Sequence, residues 1–166
     1  MPKPLDIISV PLTRCSPHSY QSENHIIGEG QWFKHGELPP LGLADLCDHV
    51  QYLWINGYHS HSRLNDRIPL NIAEETVSSS LLLVKPDNLG IVVDEGQHLL
   101  KKIRSKFRVN GVRYLLPVTD TLIEENYFTK DLGEYTIKEK HVYLVVSLGE
   151  PYEGYCYKLV AGIIGG

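Results

Sequence analysis

Asn110-Gly111 stands between two runs of alternating apolar and polar residues, KKIRSKFRV and VRYLLPV. That dipeptide favours a type I′ turn, whose twist matches the twist of two paired strands. A two-residue turn also sets the register: Val109 faces Val112, Arg108 faces Arg113, Phe107 faces Tyr114 and Lys106 faces Leu115. Because side chains alternate along a strand, Lys102, Arg104, Lys106 and Arg108 share one face, while Ile103, Phe107 and Val109 share the other, with Ser105 the exception. One face is core and the other is cationic.

The cationic face is unusual for this chain. The 166 residues carry 16 Lys and Arg against 20 Asp and Glu, for a net charge of -4. Lys101, Lys102, Arg104, Lys106, Arg108 and Arg113 all fall in thirteen positions that contain no acid. The protein is an acidic body with one basic ribbon. Screening confines each charge to about 8–10 Å at physiological salt, so local potential, not the total, decides whether a polyanion can bind. Arg108 directly opposite Arg113 is an unfavourable pair unless a negative group lies over it. Glu124 or Glu125 could supply that group, or the two guanidinium groups could splay into water. The functional alternative is a phosphate backbone, which Lys and Arg rows contact without reading sequence.

Elsewhere the chain reads mainly as β, with expected strands at 5–12, 80–86, 89–94, 98–109, 112–118, 142–148 and 155–164. Seven short strands suggest a barrel or a sandwich. SLGEPYEGYCYKL (147–159) reads as a hairpin turning at Gly-Glu-Pro, since a phosphate-cradling loop would need more Gly and a following helix. Two short helices are expected, over 41–50 and 121–128, the second with Thr121 and Glu124 at capping-box spacing. The polar stretch 55–80 is long for a connection and reads as a functional or mobile loop. No apolar run approaches the roughly 18 residues needed to span a bilayer, and MPKPLDIISVPL lacks a signal-peptide h-region, so a cytoplasmic location with no membrane partner is expected. Cys15, Cys47 and Cys156 are too widely spaced for a zinc site or a disulfide framework and read as small buried hydrophobes.

The stretch SPHSYQSENHIIGEGQW (16–32) gathers His18, Gln21, Glu23, Asn24 and His25. Their spacing matches no zinc site, and such side chains commonly close a turn by bonding nearby amides. His59 and His61 alternate in a Ser- and Asn-rich loop and read as solvated, so no metal is expected. In LNDRIP, Asp66 and Arg67 point apart if extended, so each should pair elsewhere. The enzymatic alternative makes Glu23 or Asp66 a general base partnered by His18 or His25. No GxSxG, HExxH or Walker-type loop occurs, and no cofactor is called for.

Taken together, SPHSYQSENHII, LNDRIP, KIRSKFRVNGVRYLLPVTD and VVSLGEPYEGYCYKLVAGII resemble a bacterial family of dual OB-fold domain proteins, linked by name to nucleic acid modification. The matching positions are Gln21, Glu23, Asn24 and His25, then Leu64 to Arg67 including Asn65, Phe107 to Tyr114, Thr119-Asp120, and Ser147 to Leu159. The resemblance implies one OB-like barrel over 80–166 and a partial second one over 1–40 within a single 1–166 domain, because the family's front segment is missing here. It also implies that the Gln-x-Glu-Asn-His and Leu-Asn-Asp-Arg stretches converge on one polar site. The expected function is a nucleic-acid-binding module, for DNA or RNA, in a processing or defence assembly. Its stacking aromatics would be Tyr58, Tyr152 or Tyr155, because Phe107 and Tyr114 point inward. An open strand edge for a protein partner is the third reading.

Overall fold

The computed structural model describes residues 2–96 and 100–165. The Asn110-Gly111 hairpin forms in the expected register: β8 (Lys101–Val109) pairs with β9 (Val112–Pro117), Arg108 opposite Arg113. Asn110 and Gly111 take φ of 47° and 78°, the left-handed pair that a type I′ turn demands. The strand expected from 98 is described only from Lys101, and residues 98 and 99 lie outside the described residues.

On the other side of β8 lies β7 (Asn88–Glu95), and beyond it β10 (Gly133–Ile137), giving the sheet order β10-β7-β8-β9. The helix α2 (Thr121–Phe128) connects β9 to β10. Strand, strand, strand, helix, and a fourth strand returning beside the first is the connectivity of an OB-like barrel. A second sheet has the order β5-β12-β11-β6, built from Arg67–Pro69, Tyr155–Gly165, Val142–Tyr152 and Leu81–Val84. The long β11–β12 hairpin joins the two sheets: Val118 and Val160 form a parallel bridge, and the Thr119 amide donates to the Val160 carbonyl at 2.9 Å.

The main core fills the space between these sheets with Ile91, Phe107, Tyr114, Leu116, Leu144, Val146 and Val160. Phe107 and Tyr114 stack with ring centroids 5.3 Å apart, the cross-strand contact that their register dictates. A smaller core gathers Tyr20, Ile68, Ala73, Val77, Leu148 and Cys156 at the far end of the hairpin.

Several local expectations change. The strand read over 5–12 is two strands, β1 (Asp6–Ser9) and β2 (Leu12–Cys15), broken where Pro11 has no amide hydrogen to donate. They pair with β4 (Phe33–Glu37) and β3 (His25–Ile27) as separate two-stranded ribbons. Residues 6–37 thus carry four strands with mostly exposed side chains. The helix expected over 41–50 is a 3₁₀ helix over Pro40–Leu46. The stretch 55–80 is not a bare loop, for it contains β5 and α1 (Leu70–Thr76), which adds a third helical element. α2 has its expected bounds, but its N-cap is Asp120, whose carboxylate accepts from the Leu122 and Ile123 amides, rather than Thr121. The second hairpin turns at Glu153-Gly154, φ 51° and 80°, not at Gly149-Glu150-Pro151, which β11 passes through with a shift in register.

Candidate nucleic-acid interface

β8 alternates as its sequence demands, but its cations have different fates. Arg104 is buried, only 7% exposed. Its guanidinium meets the Asp94 carboxylate at 3.0 Å and also donates to the Ser62 carbonyl. A guanidinium this deep persists only when paired in this way, so Arg104 ties β8 to β7 and to the loop that carries Ser62. Lys101 donates to the carbonyls of Phe128 and Lys130, at 3.0 and 2.5 Å, and so satisfies the C-terminal end of α2. Lys106 reaches over Gly90, its partner in β7, to Glu134 on β10 at 2.7 Å. A Cβ at position 90 would rest in ordinary contact with the Glu134 side chain, 3.6 Å from its carboxylate.

Arg108 and Arg113 are different. Both are exposed, they face each other across the hairpin, and among the described residues neither has an ion-pair partner. Glu124 and Glu125 do not neutralise them. Those two carboxylates instead line a cleft of about 640 Å³ at the opposite end of β8, across from Lys102 and Arg63 and above Ile103 and Phe128. Lys102 is likewise exposed without an ion pair among the described residues. The two arginines and Lys106 border a groove of about 420 Å³ on the outer face of the sheet, with Asn88, Gly90 and Leu115 along it. The aromatics beneath that groove, Phe107 and Tyr114, are buried as expected. Of the proposed stacking residues, Tyr155 lies under the Arg67 guanidinium at 4.0 Å, Tyr152 leans on Tyr157, and neither they nor Tyr58 line the groove.

The polar residues of the opening stretch close a turn. The Ser16 amide donates to the Asn24 carbonyl at 2.8 Å, His18 and Gln21 exchange backbone bonds, and the Asn24 amide group donates to the Gln21 side chain at 3.0 Å. Glu23 accepts from the amide of Ser80 at 3.0 Å and from its hydroxyl. Burial opposes the charge of Glu23, but these donors prevail and hold its carboxyl below the ordinary value. Tyr20 lies beneath, buried, donating to the Gly149 carbonyl at 2.5 Å, and burial pushes its phenol far above the ordinary range. His18 comes within 3.9 Å of Glu150, and His25 sits beside Cys15.

LNDR closes a second turn on different partners. Asn65, at φ 53°, accepts from the Gly57 amide and donates to the Arg113 carbonyl, both at 2.9 Å. Asp66 is fully buried and accepts from the Ser60 amide at 2.8 Å and the Ser60 hydroxyl at 2.7 Å, with Arg63 at 3.7 Å. As adjacency predicted, Asp66 and Arg67 part company. Glu23 is held by the Ser80 amide and hydroxyl and Asp66 by those of Ser60, so each carboxylate of the expected polar site has its own backbone and serine donors. His59 accepts weakly from the Asn65 amide at 3.5 Å, and among the described residues no three His, Cys, Asp or Glu side chains gather as a metal site. The cysteines divide: Cys156 is buried, Cys47 is half-buried, and Cys15 is exposed, against its reading as a core residue.

Sequence reasoning missed Lys158. It is fully buried, its ammonium donating to the Ile55 carbonyl at 2.6 Å and to the Asn56 side chain at 3.3 Å. Burial drives its pKa down to about 7, with the Asp66 charge pulling the other way. The signal was present, since period-two alternation places Lys158 on the same inward face as Cys156 and Val160.

The fold and this surface define a mainly β protein: an OB-like barrel whose outer sheet face carries, beside a groove, two arginines that make no ion pair among the described residues. The chain matches the Dual OB-containing domain family over residues 1–163 and belongs to that family. Neither a search of curated proteins nor one of solved structures returns a match.

Proposed function

We propose that this protein binds nucleic acid, DNA or RNA, along the outer face of β8 and β9 as part of a nucleic-acid-processing or defence assembly. The facing Arg108 and Arg113 carry this reading. Two exposed cations held in register with no ion pair among the described residues repel each other in the free protein, and a phosphate placed between them removes that repulsion. On the same face Lys106, which also pairs with Glu134, lies one two-residue step of about 6.8 Å from Arg108, and Lys102 lies about 13.6 Å beyond Lys106, past the buried Arg104. Lys101 and Arg104, which sequence placed in the same set, support the track by holding α2 and β7 in position. Among the described residues no exposed aromatic lines the groove, so contacts to the backbone outweigh base stacking and binding is insensitive to sequence.

Fluorescence anisotropy with single- and double-stranded DNA and RNA at several salt concentrations tests this. Arg108→Ala with Arg113→Ala should lower affinity and reduce the slope of log K against log salt by about 1.4–1.8, the loss of two phosphate contacts. Unchanged affinity at low salt would dispose of the proposal.

A second reading, a protein-interaction subunit, is favoured by the ribbons of residues 6–37. Leu12, Ile27 and Phe33 are 53%, 55% and 58% exposed there, on strands whose outer edges bond no further strand among the described residues. Exposed apolar strands with open edges invite pairing. Sedimentation tests it, because a protein that stays monomeric at every concentration and recruits nothing through Ile27→Asp-sensitive contacts does not use this surface.

A further inference from the structure

Cys15 and His25 are direct cross-strand partners in the β2–β3 ribbon, and the Cys15 sulfur lies 3.3 Å from His25 Nε2. The other ring nitrogen, Nδ1, is 2.7 Å from the Glu23 carbonyl oxygen. A carbonyl can only accept, so Nδ1 carries the hydrogen and, in the neutral ring, Nε2 presents its lone pair to the thiol. The backbone therefore selects the tautomer that can take a proton from sulfur. Both side chains are exposed. The nearest acid in sequence, Glu23, has its carboxylate turned away onto Ser80, where it does not compete for the imidazole.

We propose that Cys15 and His25 form a nucleophilic thiol–imidazole pair, a modification site whose reagent class is the hydroperoxides. In the reaction the thiol proton passes to Nε2 as sulfur attacks one peroxide oxygen. Sulfur attacks the terminal oxygen, the S–O bond forms and the O–O bond breaks; the departing hydroxide, or the alkoxide of an organic hydroperoxide, takes the proton back from His25 and leaves as water or as an alcohol. Sulfur is oxidised by two electrons to sulfenic acid and the peroxide is reduced by two. The geometry is that of a nucleophile beside a base which a third group orients. The other two cysteines have no such arrangement: burial pushes both the Cys47 and the Cys156 thiols up, which withholds their reactive form.

Mass-spectrometric mapping after limited hydrogen peroxide, with dimedone to trap sulfenic acid, tests the assignment on the full chain. Cys15 should be trapped at least about tenfold faster than Cys47. His25→Ala and His25→Gln should both slow Cys15 by about tenfold or more, because Gln can still accept the thiol hydrogen bond but cannot carry the proton away. Buried Cys156 reports folding in the same experiment, since it remains untrapped only in an intact core. Equal trapping of Cys15 and Cys47, or a Cys15 rate that survives His25→Gln while Cys156 stays protected, overturns the proposal.

Discussion

Replacing Lys158 by Met keeps the length of the side chain and removes one ammonium from the interior. In the folded protein Lys158 titrates at about 7, against 10.5 for an ordinary lysine. Between those values the unfolded chain binds more protons than the folded one, so stability rises with pH. The destabilisation is complete below the folded pKa and is relieved as pH climbs toward the unfolded pKa. The slope reaches at most about 1.4 kcal/mol per pH unit, and integration over pH 7 to 9 amounts to roughly 2 kcal/mol. Lys158→Met abolishes this contribution. It also strands the Ile55 carbonyl and the Asn56 side chain, which lose their donor whatever the pH. That loss shifts the variant's stability without tilting it. Urea unfolding followed by the fluorescence of Trp54, which is anchored through its indole to the Ser79 carbonyl at 2.8 Å, measures both proteins at each pH. The wild type should gain about 2 kcal/mol on the variant between pH 7 and 9. Titrations of Cys47, Cys156 and the tyrosines are common to both proteins and cancel in the difference. A gap that stays constant over that range would refute the assignment of a desolvated ammonium at position 158.

Three further outcomes are expected. Asp120→Ala removes the cap of α2 and the acceptor of the Ile163 amide, which joins the helix to β12; a loss of about 1–2 kcal/mol in urea unfolding is expected. Gly90→Leu fills the groove between Lys106, Arg108 and Arg113 without altering a charge. Ala at this position meets only ordinary contacts, the nearest being the Tyr135 carbonyl oxygen at 3.5 Å, so anisotropy should show weaker nucleic-acid binding for Leu and near-normal binding for Ala. Glu23→Gln removes a carboxyl whose folded pKa is depressed, a contribution present above the unfolded value and lost as pH falls through the folded one. Acid titration by circular dichroism should find the variant less stable at neutral pH and its loss on acidification shallower.

The barrel's central hairpin was legible residue by residue, because Asn-Gly admits few turns and period-two alternation then decides every cross-strand neighbour from Val109 outward. The same local rules placed α2 and the strands around 81–84, 89–94 and 142–148, all dense in Val, Ile and Leu. They missed β4 (FKHGE) and β10 (GEYTI), short runs in which Gly and Glu, poor strand formers, interrupt the pattern and whose extension is completed by pairing with β1 and β7. For the candidate site, sequence alone determined which side chains share the cationic face, since direction along a strand is a local property. Only the tertiary structure decided which of them are free. Arg104 is neutralised by Asp94 and Lys106 by Glu134 across a glycine, while Arg108 and Arg113 make no ion pair among the described residues. Charge pairing depends on what arrives from distant parts of the chain within a few ångströms, and the linear order of residues does not record that distance.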